Sequence, residues 1–186
     1  MIDIVKIKKQ SDEVFYAEGA IIAFAAADLE FLKQQTERNP RKRARLCTHR
    51  DVNDALHEMI IVNARDTYVR PHKNTSKPKS FQMLEGMMDV VVFDDAGNVV
   101  SATRLGPYGS GRASYFRLHE TRFHTLRTLT ALGIFQETTR GPFVLGDTVF
   151  AAWAPEDEDR AACENFLRRM DADVAKLLPS PTLVRH

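Results

Sequence analysis

Residues 68–95, YVRPHKNTSKPKSFQMLEGMMDVVVFDD, together with the later segment 122–125, RFHT, decide the fold. The first stretch reads as strand, turn, strand, a tight turn at Gly86 and a further strand. His72 and Asn74 stand two residues apart, so an extended chain presents both on one face. Two donor side chains aimed the same way from a β-structure are a means of building a metal or ligand site on a rigid wall.

Outward from this stretch, the texture from residue 57 onward is that of short strands. Segments 57–64, 68–72, 80–84, 88–95, 98–105, 114–119, 122–129, 131–138 and 148–154 are rich in Val, Ile, Phe, Tyr and Thr. Turn signals separate them, among them Asp94-Asp95-Ala96-Gly97-Asn98, Gly106-Pro107 and Gly141-Pro142. Strands at roughly ten-residue spacing with no helices between them predict an all-β antiparallel sandwich, jelly roll or barrel.

The flanks differ. Residues 2–8 alternate apolar and polar and predict a strand, and residues 14–16 a second. Residues 23–35 predict a helix with Asp28 as N-cap and Leu29, Phe31 and Leu32 on the buried side, ended by Pro40. Beyond Pro155, apolar residues at helical spacing (Cys163, Phe166, Leu167, Met170, Val174, Leu177 and Leu178) predict a helix over 156–178 that packs outside the sheets. Its first turn is expected to hold Glu156, Asp157, Glu158 and Asp159, where the helix dipole favours negative charge. Residues 179–186 read as an unstructured tail. The expected organisation is a single domain over 1–186: an N-terminal strand-and-helix arm with a basic segment (1–50), a β-barrel core (57–154), the C-terminal helix and the tail.

The 186 residues are 44% hydrophobic and 27% charged, with a formal net charge of +1. That balance suits a soluble globular protein and gives no overall attraction to nucleic acid or membrane. The N-terminus lacks a signal-peptide h-region and no apolar run reaches membrane-spanning length, so a cytoplasmic location is expected. Cys47 and Cys163 are distant and in no metal-binding spacing, and both read as reduced thiols. The cations of residues 41–50, Arg43 and Arg45 among them, either grip an anion bidentately or form a solvated connector. No aromatic interleaving suggests nucleic-acid binding.

The pattern from His72 through Gly86 is similar to the first motif of the cupin superfamily. There, two histidines one residue apart are followed by a glutamate and, seven positions later, a glycine. His72, Asn74, Lys79 and Gly86 occupy those places, and His124 stands where the second motif has its metal-binding histidine. The wider string (40–49 PRKRARLCTH, 57–62 HEMIIV, 68–74 YVRPHKN, 80–86 SFQMLEG, 90–99 VVVFDDAGNV, 137–143 ETTRGPF and 150–157 FAAWAPED) resembles the WbuC-type cupin-fold metalloproteins, a family linked to bacterial surface-polysaccharide gene clusters. The resemblance covers residues 14–157. It implies a cupin double-stranded β-helix, a jelly-roll barrel with a helix at each end packed outside, and a divalent metal (zinc, iron, nickel or manganese) held in its mouth by His72, Asn74 and His124.

Two residues depart from the motif. Asn74 replaces a histidine, and an amide oxygen suits hard cations better than zinc, iron or nickel. Lys79 replaces the glutamate, and a protonated lysine repels a divalent ion. Lys79 therefore points away, sits deprotonated beside a metal, or serves an anionic ligand in place of the metal. Glu137, a carboxylate in an apolar strand, needs either water or a cation such as Lys79.

His119 stands where the second motif usually has proline and reads as a strand-edge residue, and His57 as structural. Tyr68, His72, His124 and Glu137 are the candidate catalytic residues, and Arg43, Arg45, Arg70, Lys79 and Gln82 the candidate ligand contacts. Two functions remain open: an isomerase- or epimerase-like enzyme of surface-polysaccharide metabolism, or a non-catalytic small-ligand module that has lost its metal. In both, the partner is a small anionic or sugar-like molecule. A homodimer built on exposed strand edges is also expected.

Overall fold

The computed structural model describes residues 6–75 and 77–178, and the expectations for residues 2–5 and for the tail at 179–186 lie outside the described residues. Among the described residues the chain forms twelve strands and two helices. Strands β1 (Lys6–Lys9), β2 (Val14–Glu18), β3 (Arg43–Cys47), β4 (Leu56–Ala64), β6 (Lys79–Glu85), β9 (Tyr115–Leu118) and β11 (Leu132–Arg140) make one sheet in the order β1-β2-β3-β4-β11-β6-β9. Strands β5 (His72–Asn74), β7 (Met88–Phe93), β8 (Val99–Leu105), β10 (Phe123–Thr128) and β12 (Thr148–Phe150) make the second, in the order β12-β5-β10-β7-β8. The chain repeatedly switches between the sheets, as at the turn from β6 to β7. This two-sheet jelly-roll barrel is among the architectures that the strand spacing predicts.

That turn is made at Gly86, whose φ of +79° lies in the left-handed region. A Cβ there would sit 2.3 Å from the Leu132 carbonyl oxygen and 2.5 Å from the Thr130 hydroxyl. Only glycine fits both demands. The turn sends the chain from one sheet to the other.

A helix covers part of the outer face of each sheet. The outer face of the first carries Phe15, Ala44, Leu46, Ile60, Val62 and Ile134 against Leu32 of α1 (Ala26–Arg38). The outer face of the second carries Val91, Phe93 and Phe123 against Phe166, Met170 and Val174 of α2 (Arg160–Leu177). An ion pair between Arg127 and Asp171 adds a tie from β10 to α2, N to O 3.1 Å. Between the sheets, Phe81, Met83, Met88, Val90, Leu105, Leu126 and Phe135 close one end of the barrel with apolar side chains. Burial of this area from water is what holds the two sheets together.

Several local expectations change. Asp28 is not the N-cap of α1; it lies inside the first turn and its carboxylate accepts a hydrogen bond from the Ala25 amide, 2.7 Å, with Ala25 in the cap position. The acidic run 156–159 precedes α2 rather than forming its first turn, and Asp159 caps the helix by accepting from the Ala162 amide. Residues 68–71 are not a strand: Pro71 has no amide to give a ladder, and the Val69 carbonyl is bound by the Thr125 hydroxyl instead. β5 begins only at His72. The basic segment is not a connector, because residues 43–47 form a strand paired on both sides.

Candidate functional site

Strand alternation and register place the site. Along β3 the odd residues Arg43, Arg45 and Cys47 face the barrel interior while Ala44 and Leu46 face α1. Across the sheet, Cys47 pairs with Met59, Met59 with Glu137, and Glu137 with Phe81. One register row toward the open end, His57 pairs with Thr139 and Thr139 with Lys79. From the second sheet, His72 and His124 are direct cross-strand partners, and Asn74 lies two residues beyond His72 on the same face. These side chains line one cavity of about 1220 Å³, floored by Phe81, Leu126 and Phe135.

The two imidazoles lie with ring centroids 4.6 Å apart. The Nδ1 of His72 lies 3.0 Å from the Arg70 carbonyl oxygen, and that of His124 lies 3.1 Å from the Arg122 carbonyl oxygen. A carbonyl oxygen only accepts, so each Nδ1 carries the proton and each Nε2 keeps a lone pair. Burial, then the Lys79 cation, then a counter-acting bond to the Arg70 carbonyl, set the basicity of His72, with a pKa pushed down to about 4. Burial and then Lys79 push His124 well below the ordinary histidine value. Both rings are therefore neutral acceptors at pH 7. The Nε2 of His124 is buried with no hydrogen-bond partner among the described residues, as is the Oδ1 of Asn74, whose amide nitrogen donates to the Thr148 hydroxyl at 3.1 Å.

Lys79 points into this group. Its Nζ lies 3.3 Å from a Glu137 carboxylate oxygen and 3.5 Å from the His72 Nε2, the latter at the outer limit of a hydrogen bond. The structure thus supplies the cation that the carboxylate in β11 requires, and it does so on the diagonal between neighbouring strands.

The donor set does not fit a divalent metal. Two neutral imidazoles and an amide oxygen face the cavity, but an ammonium group occupies the side of His72 where a fourth, anionic ligand would be needed, and the one nearby carboxylate is paired to it. Among the described residues no group of three His, Cys, Asp or Glu side chains is arranged to hold a metal ion.

Other expected site residues fall differently. Tyr68 is not in the cavity; its ring packs edge-on against Phe166 of α2 and its hydroxyl donates to the Pro155 carbonyl. Gln82 faces outward and is exposed, because Phe81 and Met83 on either side take the interior. Arg70 lines the cavity, but its guanidinium is paired with Glu156, donates to the Ala151 carbonyl and lies over the Phe150 ring at 5.2 Å. Arg43 also lines the cavity and is paired with Glu13 at 3.0 Å. Arg45 lines it with no salt bridge among the described residues. His49 and His57, given no site role by the sequence reading, stack face to face at 4.0 Å on the cavity wall. The signal for them was the two-residue step that continues from Arg43 through Arg45 and Cys47 to His49.

Residues 24–105 match the model of a family described as a domain of unknown function, DUF6016. No curated protein sequence matches the chain. Among solved structures, the chain is similar to ligand-free L-ribose isomerase of Cellulomonas parahominis, at 15% identity and a TM-score of 0.48, over 60% of this chain and 70% of that one. It is similar to the cupin domain of Cnp3 from Schizosaccharomyces pombe, at 12% identity and a TM-score of 0.42, over 53% and 64%. A variant of the oxalate decarboxylase OxdC of Bacillus subtilis is similar at 14% identity and a TM-score of 0.42, over 53% of this chain and 25% of that one. No described helix is long and apolar enough to cross a membrane.

Proposed function

We propose that this protein binds a small anionic or sugar-like molecule in the barrel without a metal, using Lys79, His72, His124 and Asn74 as its contacts. The observation that carries this reading is the position of the Lys79 ammonium between Glu137 and His72, where it takes the place a metal and its carboxylate ligand would otherwise share. The neutral His124 Nε2 and the Asn74 Oδ1 are acceptors buried without partners, and burying them so costs free energy that a ligand hydroxyl would recover. The Lys79 ammonium offers donors to an anionic or carbonyl oxygen. The resemblance to the WbuC-type proteins makes sugars of surface-polysaccharide metabolism the first class to test.

A second reading, a metal-dependent isomerase-like enzyme using His72, Asn74 and His124, is favoured by the two free imidazole lone pairs and opposed by Lys79. Metal analysis of protein purified without a histidine tag or chelator, followed by thermal melts with sugar acids, separates the two. The binding reading expects sub-stoichiometric metal and no stabilisation by added manganese, zinc, nickel or ferrous ion. It also expects sugar acids at a hundred times their Kd to stabilise the fold by about 2.7 kcal/mol. That corresponds to roughly 5–10 °C for a domain of this size. Near-stoichiometric metal that disappears in a folded His72→Ala or His124→Ala variant would overturn it in favour of the metalloenzyme.

A further inference from the structure

The same cavity has a second polar end, away from Lys79, and its charge balance differs from everything around it. On the inner face of β3, Arg43 is paired with Glu13, and elsewhere on the wall Arg70 is paired with Glu156 and Lys77 with Asp147. Arg45 is not paired. It is half-buried, with no acidic side chain in salt-bridge range among the described residues, and its charge acts on the neighbouring Tyr16 and Cys47. A guanidinium drawn partly out of water without a counter-ion is costly unless something brings an anion to it.

The surroundings suit such an anion. Tyr16 pairs in register with Cys47, one step along β3 from Arg45, and its ring meets His49 edge-on at 5.6 Å. His49 stacks on His57, which lies two register rows from Arg45 in the row of Lys79. Asn63, opposite Arg43 in β4, has a buried side-chain oxygen without a partner. An unused hydrogen-bonding atom, the Asn63 side-chain oxygen, therefore lies one register row from a cation that makes no salt bridge among the described residues. Cys47 is not a nucleophile here, since burial raises its thiol to about 11 and keeps it protonated.

We propose that Arg45, with Tyr16 and Asn63 near it, is an anion subsite that holds the carboxylate or phosphate end of a small bifunctional ligand. Its hydroxyl-bearing end then reaches Lys79, His72 and His124. The proposal rests on the ligand-binding reading above and extends it from a ligand class to a ligand orientation. Arg45 stands three strands and two register rows from Lys79, about 20 Å over the curved sheet at the usual strand and residue spacings. The two long side chains both project into the cavity and shorten that gap. A sugar acid or sugar phosphate, charged at one end only, matches the pattern better than a dianion, because Glu137 stands beside Lys79 at the other end.

The test is calorimetric titration of the intact protein with gluconate, glucose 6-phosphate, glucose and inorganic phosphate. The unaltered protein should bind one of the two charged sugars at least tenfold more tightly than glucose, and which one it prefers tells carboxylate from phosphate. In Arg45→Gln that preference should fall to near one, and Arg45→Lys should restore part of it. Arg45 makes no ion pair, so both variants are expected to fold, with circular dichroism as the check. If Arg45→Gln keeps the preference while Lys79→Met abolishes binding, the subsite is overturned and the ligand-binding reading stands. If the unaltered protein binds none of the four compounds, both are overturned.

Discussion

The Lys79–Glu137 pair allows a sharp test by double-mutant cycle. Replacing Lys79 with Met leaves a carboxylate inside the barrel without its cation, and replacing Glu137 with Gln leaves the ammonium without its anion. Breaking a fully buried pair from one side costs about 3–5 kcal/mol. Here the side chains are 8% and 15% exposed and the contact is 3.3 Å, so cavity water relieves part of the penalty. Each single change should therefore cost about 2–3 kcal/mol. The double variant Lys79→Met/Glu137→Gln removes both charges together and should recover much of this, giving a coupling energy of about 2 kcal/mol. Urea denaturation followed by circular dichroism reads all four proteins, with unchanged slopes certifying the comparison. Single effects that simply add, to within about 0.5 kcal/mol, would refute the pairing. NMR titration gives a second readout: burial still depresses both imidazoles in Lys79→Met, but the next contribution is gone, so His72 and His124 should both titrate at higher pH than in the unaltered protein.

Three further outcomes follow from the same structure. His72 has a folded pKa of about 4 against an ordinary 6.5, so the unfolded chain binds the extra proton between those values. Stability should be fully present above pH 6.5 and be lost as pH falls toward 4, by at most about 3 kcal/mol from this residue. A His72→Phe variant should flatten that slope in pH-dependent melts, and an unchanged slope would contradict it. Gly86→Ala, which needs a left-handed backbone and meets the Leu132 carbonyl, should cost about 2–3 kcal/mol or more by urea denaturation, whereas Ala at the open Gly109 should cost less. Leu32→Ala, at a fully buried position between α1 and the first sheet, should cost about 3–4 kcal/mol, and a cost under 1 would mean α1 does not pack as described.

How much of this was legible beforehand can be argued residue by residue. The barrel was legible because β-branched and aromatic runs recur between turn signals, and Gly86 marks its turn by a requirement no other residue meets. The meeting of His72 with His124, and of Lys79 with Glu137, depends on register between strands far apart in sequence, which no local pattern encodes. Residues 43–47 were read by their charge instead of their period, although Arg, Ala, Arg, Leu, Cys alternates as a strand with polar residues inward does. The error at Tyr68 came from extending a strand through Pro71, and that at Gln82 from not knowing which face was interior. Asp28 reads as an N-cap because the residue that holds the cap position, Ala25, has no polar side chain to announce it.

The departures at positions 74 and 79 are better understood together than singly. A lysine among two histidines would be intolerable if the rings were protonated, since three cations would crowd one buried wall. The rings escape this by staying neutral: burial first and the lysine second keep the proton off each Nε2, against the opposing effect of the hydrogen bonds that each Nδ1–H donates to the Arg70 or Arg122 carbonyl. Glu137 then balances Lys79, so that the unit of four side chains carries no net charge while still offering ammonium donors and an unused imidazole acceptor. Restoring a metal ligand at one position alone breaks the balance. Lys79→Glu would set a second carboxylate beside Glu137, and a divalent cation is what would neutralise the two. Metal affinity gained by Lys79→Glu, absent from the unaltered protein and accompanied by loss of sugar-acid binding, would show that this one position decides between the two chemistries of the barrel. A Lys79→Glu protein with no affinity for manganese or zinc would mean that Asn74 and the remaining geometry had already closed the metal route.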